Sequence, residues 1–400
     1  MKNRIIGIML ACAMMLTATA CTKKVVVNND PPEPVVVDDP VEPGPDITDA
    51  VVTDLDETPV IEERTTIDGK KQSFLTGEWK DESIVDRRPM AVMIPNNKPA
   101  LPQYGISKAS VIFEAPMEGY DCTRLMAIFE DYDSLDHIGP VRSARLYFME
   151  YSLPYDAIYC NWGVALVPGA EELINSDRIH NISQAVEGID NPSQEAFDRD
   201  QERKDLGYSL EFTGIMTIDG YNAALDRMGY RKMHDDLYEQ PFIFAQDGYI
   251  AGYTDKPDAK VISPAGNSKQ GGYGQTSPYF VYDEADHLYH RYQLDVPQVD
   301  EANGEALTCR NVIFMTTSGD FYNKNTGYLW FTVKGSDSVA GAPAYFFTEG
   351  KVIEGYWLKD ETDDGAYHYY DNDGNEIIFN QGKTWVCLIN IAFYDSISVE

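Results

Sequence analysis

Two arginines and a serine, Arg142, Ser143 and Arg145, follow the chain break Gly139-Pro140 and are read as the start of a helix. Cations are poorly placed at the partially positive N-terminus of a helix unless something negative joins them. A phosphate, pyrophosphate or carboxylate would gather free N–H groups, the Ser143 hydroxyl and the guanidinium forks into one site, because arginine offers planar paired donors to such oxygens. Thr123-Arg124 is placed to converge from a neighbouring strand. The same residues equally suit an internal ion-pair network in which Glu114, Glu118 or Asp121 supplies the negative charge. Glu114 and Glu118 also qualify as an acid and a base, for glycoside cleavage for example, since that chemistry needs only two carboxyls at a suitable gap. Among 65 acidic residues such pairs arise by chance, and spacing does not choose between the readings.

Other chemistries find no support in the sequence. It has no Gly-x-Ser-x-Gly, no Ser-x-x-Lys set with its partners and no His-Glu-x-x-His. His137, His180, His234, His287, His290 and His368 make no metal-spaced cluster with the cysteines, so no metal and no cofactor are expected. Asp371 to Gly374 reads as a hairpin turn rather than a calcium loop, which requires a glycine after its third oxygen ligand and a later glutamate. Cys122 and Cys160 fall in one half, Cys309 and Cys387 in the other. Their apolar surroundings favour reduced core thiols, although one bridge per half is arithmetically open. Trp162, Trp330, Trp357 and Trp385 serve core packing or a stacking surface.

Several segments must anchor and position these residues. Lys2 and Arg4 precede an apolar run, Ile5 to Leu16, that is short for a membrane span and reads as a signal peptide, residues 1–20. Ala18-Thr19-Ala20-Cys21 resembles a bacterial lipobox with Ala18 where leucine is usual. Cys21 would become the lipidated mature N-terminus, and more than one acyl chain gives stable anchoring. Residues 25–63 hold 12 acidic residues, seven prolines, no basic residue and no aromatic one. They read as part of a disordered, lipid-anchored stalk, residues 21–80.

The expected fold class is α+β: a mixed α/β N-terminal domain, 81–262, then an antiparallel β-rich C-terminal domain, 275–400. In the first, Met90 to Ile94, Ser110 to Phe113, Leu125 to Phe129 and Asp156 to Trp162 read as strands. Ser143 to Tyr151, Ala170 to Asn175, Ser193 to Lys204 and Ile218 to Met228 read as helices. In the second, short Val/Ile/Tyr/Phe runs recur between turn signals, among them Asn311 to Thr317 and Thr384 to Asn390.

The stretch Arg88 to Ile94, then Pro102-Gln103, Gly105, Glu114, Glu118-Gly119, Thr123-Arg124 and Gly139 to Arg145, resembles the N-terminal domain of the YerB-like lipoproteins. Tyr282, Arg291-Tyr292, Asn311-Val312, Gly350-Lys351, Gly355 to Trp357, Lys359, Asp371 to Gly374 and Gly382 to Trp385 are similar to that family's second domain. Together they span roughly residues 87 to 390. The chain departs at Ile94-Pro95-Asn96-Asn97, where the family more often has an acidic residue before an asparagine. The resemblance implies a lipid-anchored surface protein of a Gram-positive bacterium, with two linked domains and no assigned biochemical role. It supplies no catalytic residue.

The formal net charge of −33 argues against nucleic-acid binding. The reading is therefore a lipoprotein on the outer face of the cytoplasmic membrane. It binds an anionic cell-envelope polymer, a phosphorylated lipid carrier or a protein partner through Arg124, Arg142, Ser143 and Arg145. The alternative is an envelope enzyme acting on a phosphate-bearing or glycan substrate, with Glu114 or Glu118 as acid or base. A third class, an interaction module, would instead expose an aromatic patch on the β-rich half.

Overall fold

Runs of Val, Ile, Met and Phe without polar interruption suit strands covered on both faces. In the computed structural model, which describes residues 50–235, 238–265, 271–333, 342–360, 362 and 364–400, ten strands, several of them containing such runs, form one mixed sheet. From edge to edge its strands are Tyr367–Asp371, Lys351–Lys359, Ala342–Thr348, Asn311–Thr317, Thr384–Asn390, Val111–Pro116, Thr123–Phe129, Met90–Pro95, Ile158–Asn161 and Asn181–Ser183. Successive side chains enter opposite cores: Met90, Val92 and Ile94 on one face, Ala91 and Met93 on the other. The helices Leu146–Ser152 and Ala170–Ile174 cover one face. The helix Ile218–Met228 and a smaller sheet containing Tyr279–Asp283 and Leu288–Gln293 cover the other. The fold is α+β, as expected.

The two halves of the chain join inside this sheet. Thr384–Asn390 lies parallel to Val111–Pro116, with Cys387 opposite Glu114, and parallel to Asn311–Thr317 on its other side. The C-terminal half is thus not wholly antiparallel. Its last long strand is buried along its whole length, so it occupies the centre of the sheet rather than an edge.

The signal peptide, Cys21 and the acidic stretch to residue 49 lie outside the described residues. From residue 50 onward the expected stalk is instead folded chain. Val51–Thr53 pairs in parallel with Tyr249–Ala251, Lys70–Gln72 pairs with Trp79–Asp81, and Ile61 and Leu75 are 4% and 2% exposed. Acidic composition over 25–63 masked a few apolar side chains that repay ordering once a preformed surface receives them. Ile61→Val should therefore cost about 1 kcal/mol in urea denaturation, as at a packed core site; a free stalk would register no change.

The expected helix from Ser193 to Lys204 is also divided. Phe197–Arg199 forms a strand against Gly214–Thr217, and a new helix, Gln201–Asp205, starts after Asp200, whose side chain accepts from the Arg203 N–H. The strand interruption allows Phe197 to pack against Trp162 and places Arg199 beside it.

Candidate functional site

The segment Arg142 to Ala144 spends its backbone on neighbouring chain. Arg142 N–H donates to Met93 O at 2.8 Å, Trp162 N–H to Arg142 O at 2.9 Å, and Ala144 N–H to Gly163 O at 2.7 Å. These bonds hold the segment out of a helix. Arg145 is the extended N-cap residue, at φ −128° and ψ 145°, and the helix starts at Leu146. The expected helix opening at Arg142-Ser143 is corrected accordingly: the cations precede the helix instead of occupying its first turn.

The Ser143 hydroxyl donates to Trp162 O at 3.0 Å. The chain can come so close because residue 163 is glycine, at φ +96°; a Cβ there would lie 2.8 Å from Ser143 Oγ. Arg145 forms an ion pair with Glu118 and donates to Ala144 O at 2.8 Å and to Ser143 O at 3.3 Å. Arg124 also donates to Ser143 O from Nη1. It is 5% exposed, its Nε has no partner among the described residues, and burial reinforced by Arg145 pushes its pKa down to about 9. Arg142 contacts Glu211 at 3.1 Å, a half-exposed carboxylate.

The four expected residues are thus brought together but divided in role. Arg142 and Ser143 line an open cleft of about 590 Å³, while Arg124 and Arg145 converge behind it on the Ser143 carbonyl. Arg199 lines the same cleft, its guanidinium 4.0 Å from the Trp162 ring centre. Arg199 donates to Leu210 O and, at 3.4 Å, to Thr213 Oγ1. No carboxylate among the described residues pairs with Arg199. Burial and then the nearby Arg142 lower its pKa. Tyr328, from the C-terminal half, completes one wall, with Arg145 5.7 Å from its ring centre. Sequence spacing carries no sign of Arg199, Trp162 or Tyr328, which are 57, 20 and 186 positions from Arg142.

Glu114 lies elsewhere. It is fully buried, and one oxygen accepts from Thr123 Oγ1 at 2.7 Å and Asn96 Nδ2 at 3.0 Å. The other accepts from Arg291 Nη2 at 2.6 Å and Trp385 Nε1 at 3.1 Å. Arg291 lies against the T-shaped pair of Phe280 and Trp385, its guanidinium 4.6 and 4.5 Å from their ring centres. A carboxylate so enclosed has no path to a substrate; of the two roles weighed for Glu114 from the sequence, acid or base and ion-pair partner, the structure has the ion pair, made with Arg291 instead of Arg142 or Arg145. Glu118, bound to Arg145, is a partner in the ion-pair sense weighed from the sequence. Asn96, at the point where the chain departs from the resemblance, belongs to the same buried network as Glu114.

Cys122, Cys160, Cys309 and Cys387 are free thiols, and burial raises the pKa of each. Trp357 and Trp385 are core residues. On an exposed hairpin, Asp283, Asp286 and His290 bring one ligand atom each within 4.8 Å of one another, a grouping that sequence spacing did not reveal.

Two family models match the chain: "Protein of unknown function (DUF3048) N-terminal domain" over residues 75–230, and the corresponding C-terminal domain over residues 270–386. "Putative lipoprotein YerB" of Bacillus subtilis (strain 168) is 26% identical over 329 residues, covering 80% of this chain and 86% of that protein. The chain belongs to the YerB-like family. The crystal structure of the YerB protein from Bacillus subtilis has the same fold, with a TM-score of 0.66 at 24% identity over 82% of this chain and 99% of that one. In this member of the YerB-like family the two matched regions meet at Glu114 and Arg291 in the centre of the molecule.

Proposed function

We propose that this protein is a lipoprotein, anchored through Cys21 on the outer face of the cytoplasmic membrane, that binds an anionic cell-envelope ligand in the cleft lined by Arg142 and Arg199. The observation that carries this reading is Arg199, a cation without an ion pair among the described residues, in a concave place whose lining holds two arginines, Arg142 and Arg199, and two glutamates, Glu187 and Glu211. Among the described residues Arg199 has no acidic partner, Arg124 is buried behind the cleft with no partner at Nε, and Arg142 pairs with a half-exposed Glu211 alone. Exposed ion pairs contribute about 0–1 kcal/mol, so a phosphate can displace Glu211 at little cost. Ser143 acts through its carbonyl, which holds Arg124 and Arg145, since its hydroxyl is committed to Trp162.

Binding without turnover is favoured over catalysis because Glu114 is sealed in the core and Glu118 is bound to Arg145. The test is thermal unfolding of the chain from residue 45 onward, which contains both cores, with and without inorganic pyrophosphate. Wild type is expected to melt at a higher temperature with the anion, through linkage, and Arg142→Ala combined with Arg199→Ala to keep its fold and lose that shift. An equal shift in both proteins would refute the site.

A further inference from the structure

The cleft is bordered by apolar side chains that none of the described residues covers. Leu166 is 48% exposed, Val186 36% and Leu210 63%, and all three line the cleft that holds Arg142 and Arg199. Single exposed apolar residues are ordinary; three around one concavity that also holds Arg142, the ion-pair-free Arg199, Glu187 and Glu211 are a composition that matches an amphiphilic ligand. Their placement is built into the backbone. Gly188, at φ +86°, passes so near that a Cβ would lie 2.6 Å from Leu166 Cδ2 and 3.2 Å from Val164 Cγ1, which draws the Val186 loop against Leu166 as a continuous wall. Leu210 stands on the turn whose carbonyl accepts from Arg199, so apolar surface begins directly beside the guanidinium.

We propose that the ligand is an amphiphile, a phosphate ester whose head lies between Arg142 and Arg199 and whose apolar chain runs along Leu166, Val186 and Leu210. This rests on the anion-binding reading above and narrows it to a substrate class. A free inorganic anion would leave the apolar wall in water, and an uncharged lipid would leave Arg199 without a counter-charge. The phosphate ester satisfies both. Each buried methylene of the chain should tighten binding about fourfold until the wall is covered.

Isothermal titration of the chain from residue 45 onward with butyl, hexyl and octyl phosphate, below their micellar concentrations, and with pyrophosphate and octyl glucoside measures this directly. The dissociation constant is expected to fall steadily from butyl to octyl phosphate. Leu166→Ser combined with Leu210→Ser, both at exposed positions, should flatten that dependence and leave pyrophosphate binding unchanged. Butyl and octyl phosphate binding equally, with pyrophosphate still bound, would overturn the amphiphile and leave the anion site standing. No binding of any phosphate would overturn both readings. Octyl glucoside binding as tightly as octyl phosphate, undiminished in Arg142→Ala with Arg199→Ala, would show an apolar groove and overturn the phosphate ester.

Discussion

Arg291→Met should lower folding stability by about 3–5 kcal/mol in urea denaturation, the usual cost of leaving one member of a buried ion pair without the other. Arg291 and Glu114 are both 0% exposed, so water cannot replace the lost partner. Asn96, Thr123 and Trp385 would still donate to the Glu114 carboxylate, but none carries a compensating charge. The pair also links the two matched regions, so the loss should appear as cooperative weakening of the whole body. Glu114→Gln in the same chain removes the stranded charge, and the double variant should recover part of the stability, giving a coupling energy of about 1–3 kcal/mol in a double-mutant cycle. A loss below about 1 kcal/mol in the single variant would mean that the neighbouring donors suffice.

Arg124→Met should act in the opposite direction on stability and against binding. The native guanidinium is buried, lacks a partner at Nε and lies beside Arg145, so burial and like charge push its pKa from 12.5 to about 9. At neutral pH arginine nevertheless keeps its proton, and the strain appears as a cost to folding. Because the folded-state pKa lies below the unfolded one, that cost is present throughout the range below about pH 9 and is relieved only as pH rises from there towards 12.5. Methionine fills similar space without charge, and Arg145 remains as a donor to the Ser143 carbonyl. The variant is expected to gain about 1–3 kcal/mol without ligand, seen as a higher melting temperature at pH 7. Its affinity for pyrophosphate should fall at least about tenfold, because the buried cation contributes to the field at the cleft and is itself eased by a bound anion. A less stable variant with unchanged affinity would show that Arg124 is a satisfied structural residue.

Local features made much of the fold legible. Ile218–Met228 was delimited to the residue because its spacing is helical over three turns, with Thr217 capping one end and Gly229 in left-handed conformation closing the other. Asn311–Thr317 and Thr384–Asn390 were likewise evident, since their β-type side chains continue up to turn residues. Spacing also groups Arg124, Arg142, Ser143 and Arg145, and in the fold Arg124 and Arg145 both donate to the Ser143 carbonyl beside Arg142.

What spacing could not reveal is everything set by distant partners. Arg142 and Ser143 have helix-compatible neighbours, yet hydrogen bonds to Met93, Trp162 and Gly163 keep them extended until Leu146. The acidic, proline-rich composition of residues 25–63 suggests a stalk reaching residue 80, yet from Val51 onward the chain is folded because Tyr249–Ala251 and an existing core receive it. Glu114 and Glu118 are equivalent by composition; one meets Arg291 from 177 positions away and is sealed, the other meets Arg145 and stays partly exposed. Strand and helix periodicities and the supply of cations are local properties of the chain. Which cations share a cleft and which carboxylates neutralise them are not, because ion pairing and burial depend on separation in space, which non-local sheet pairing sets.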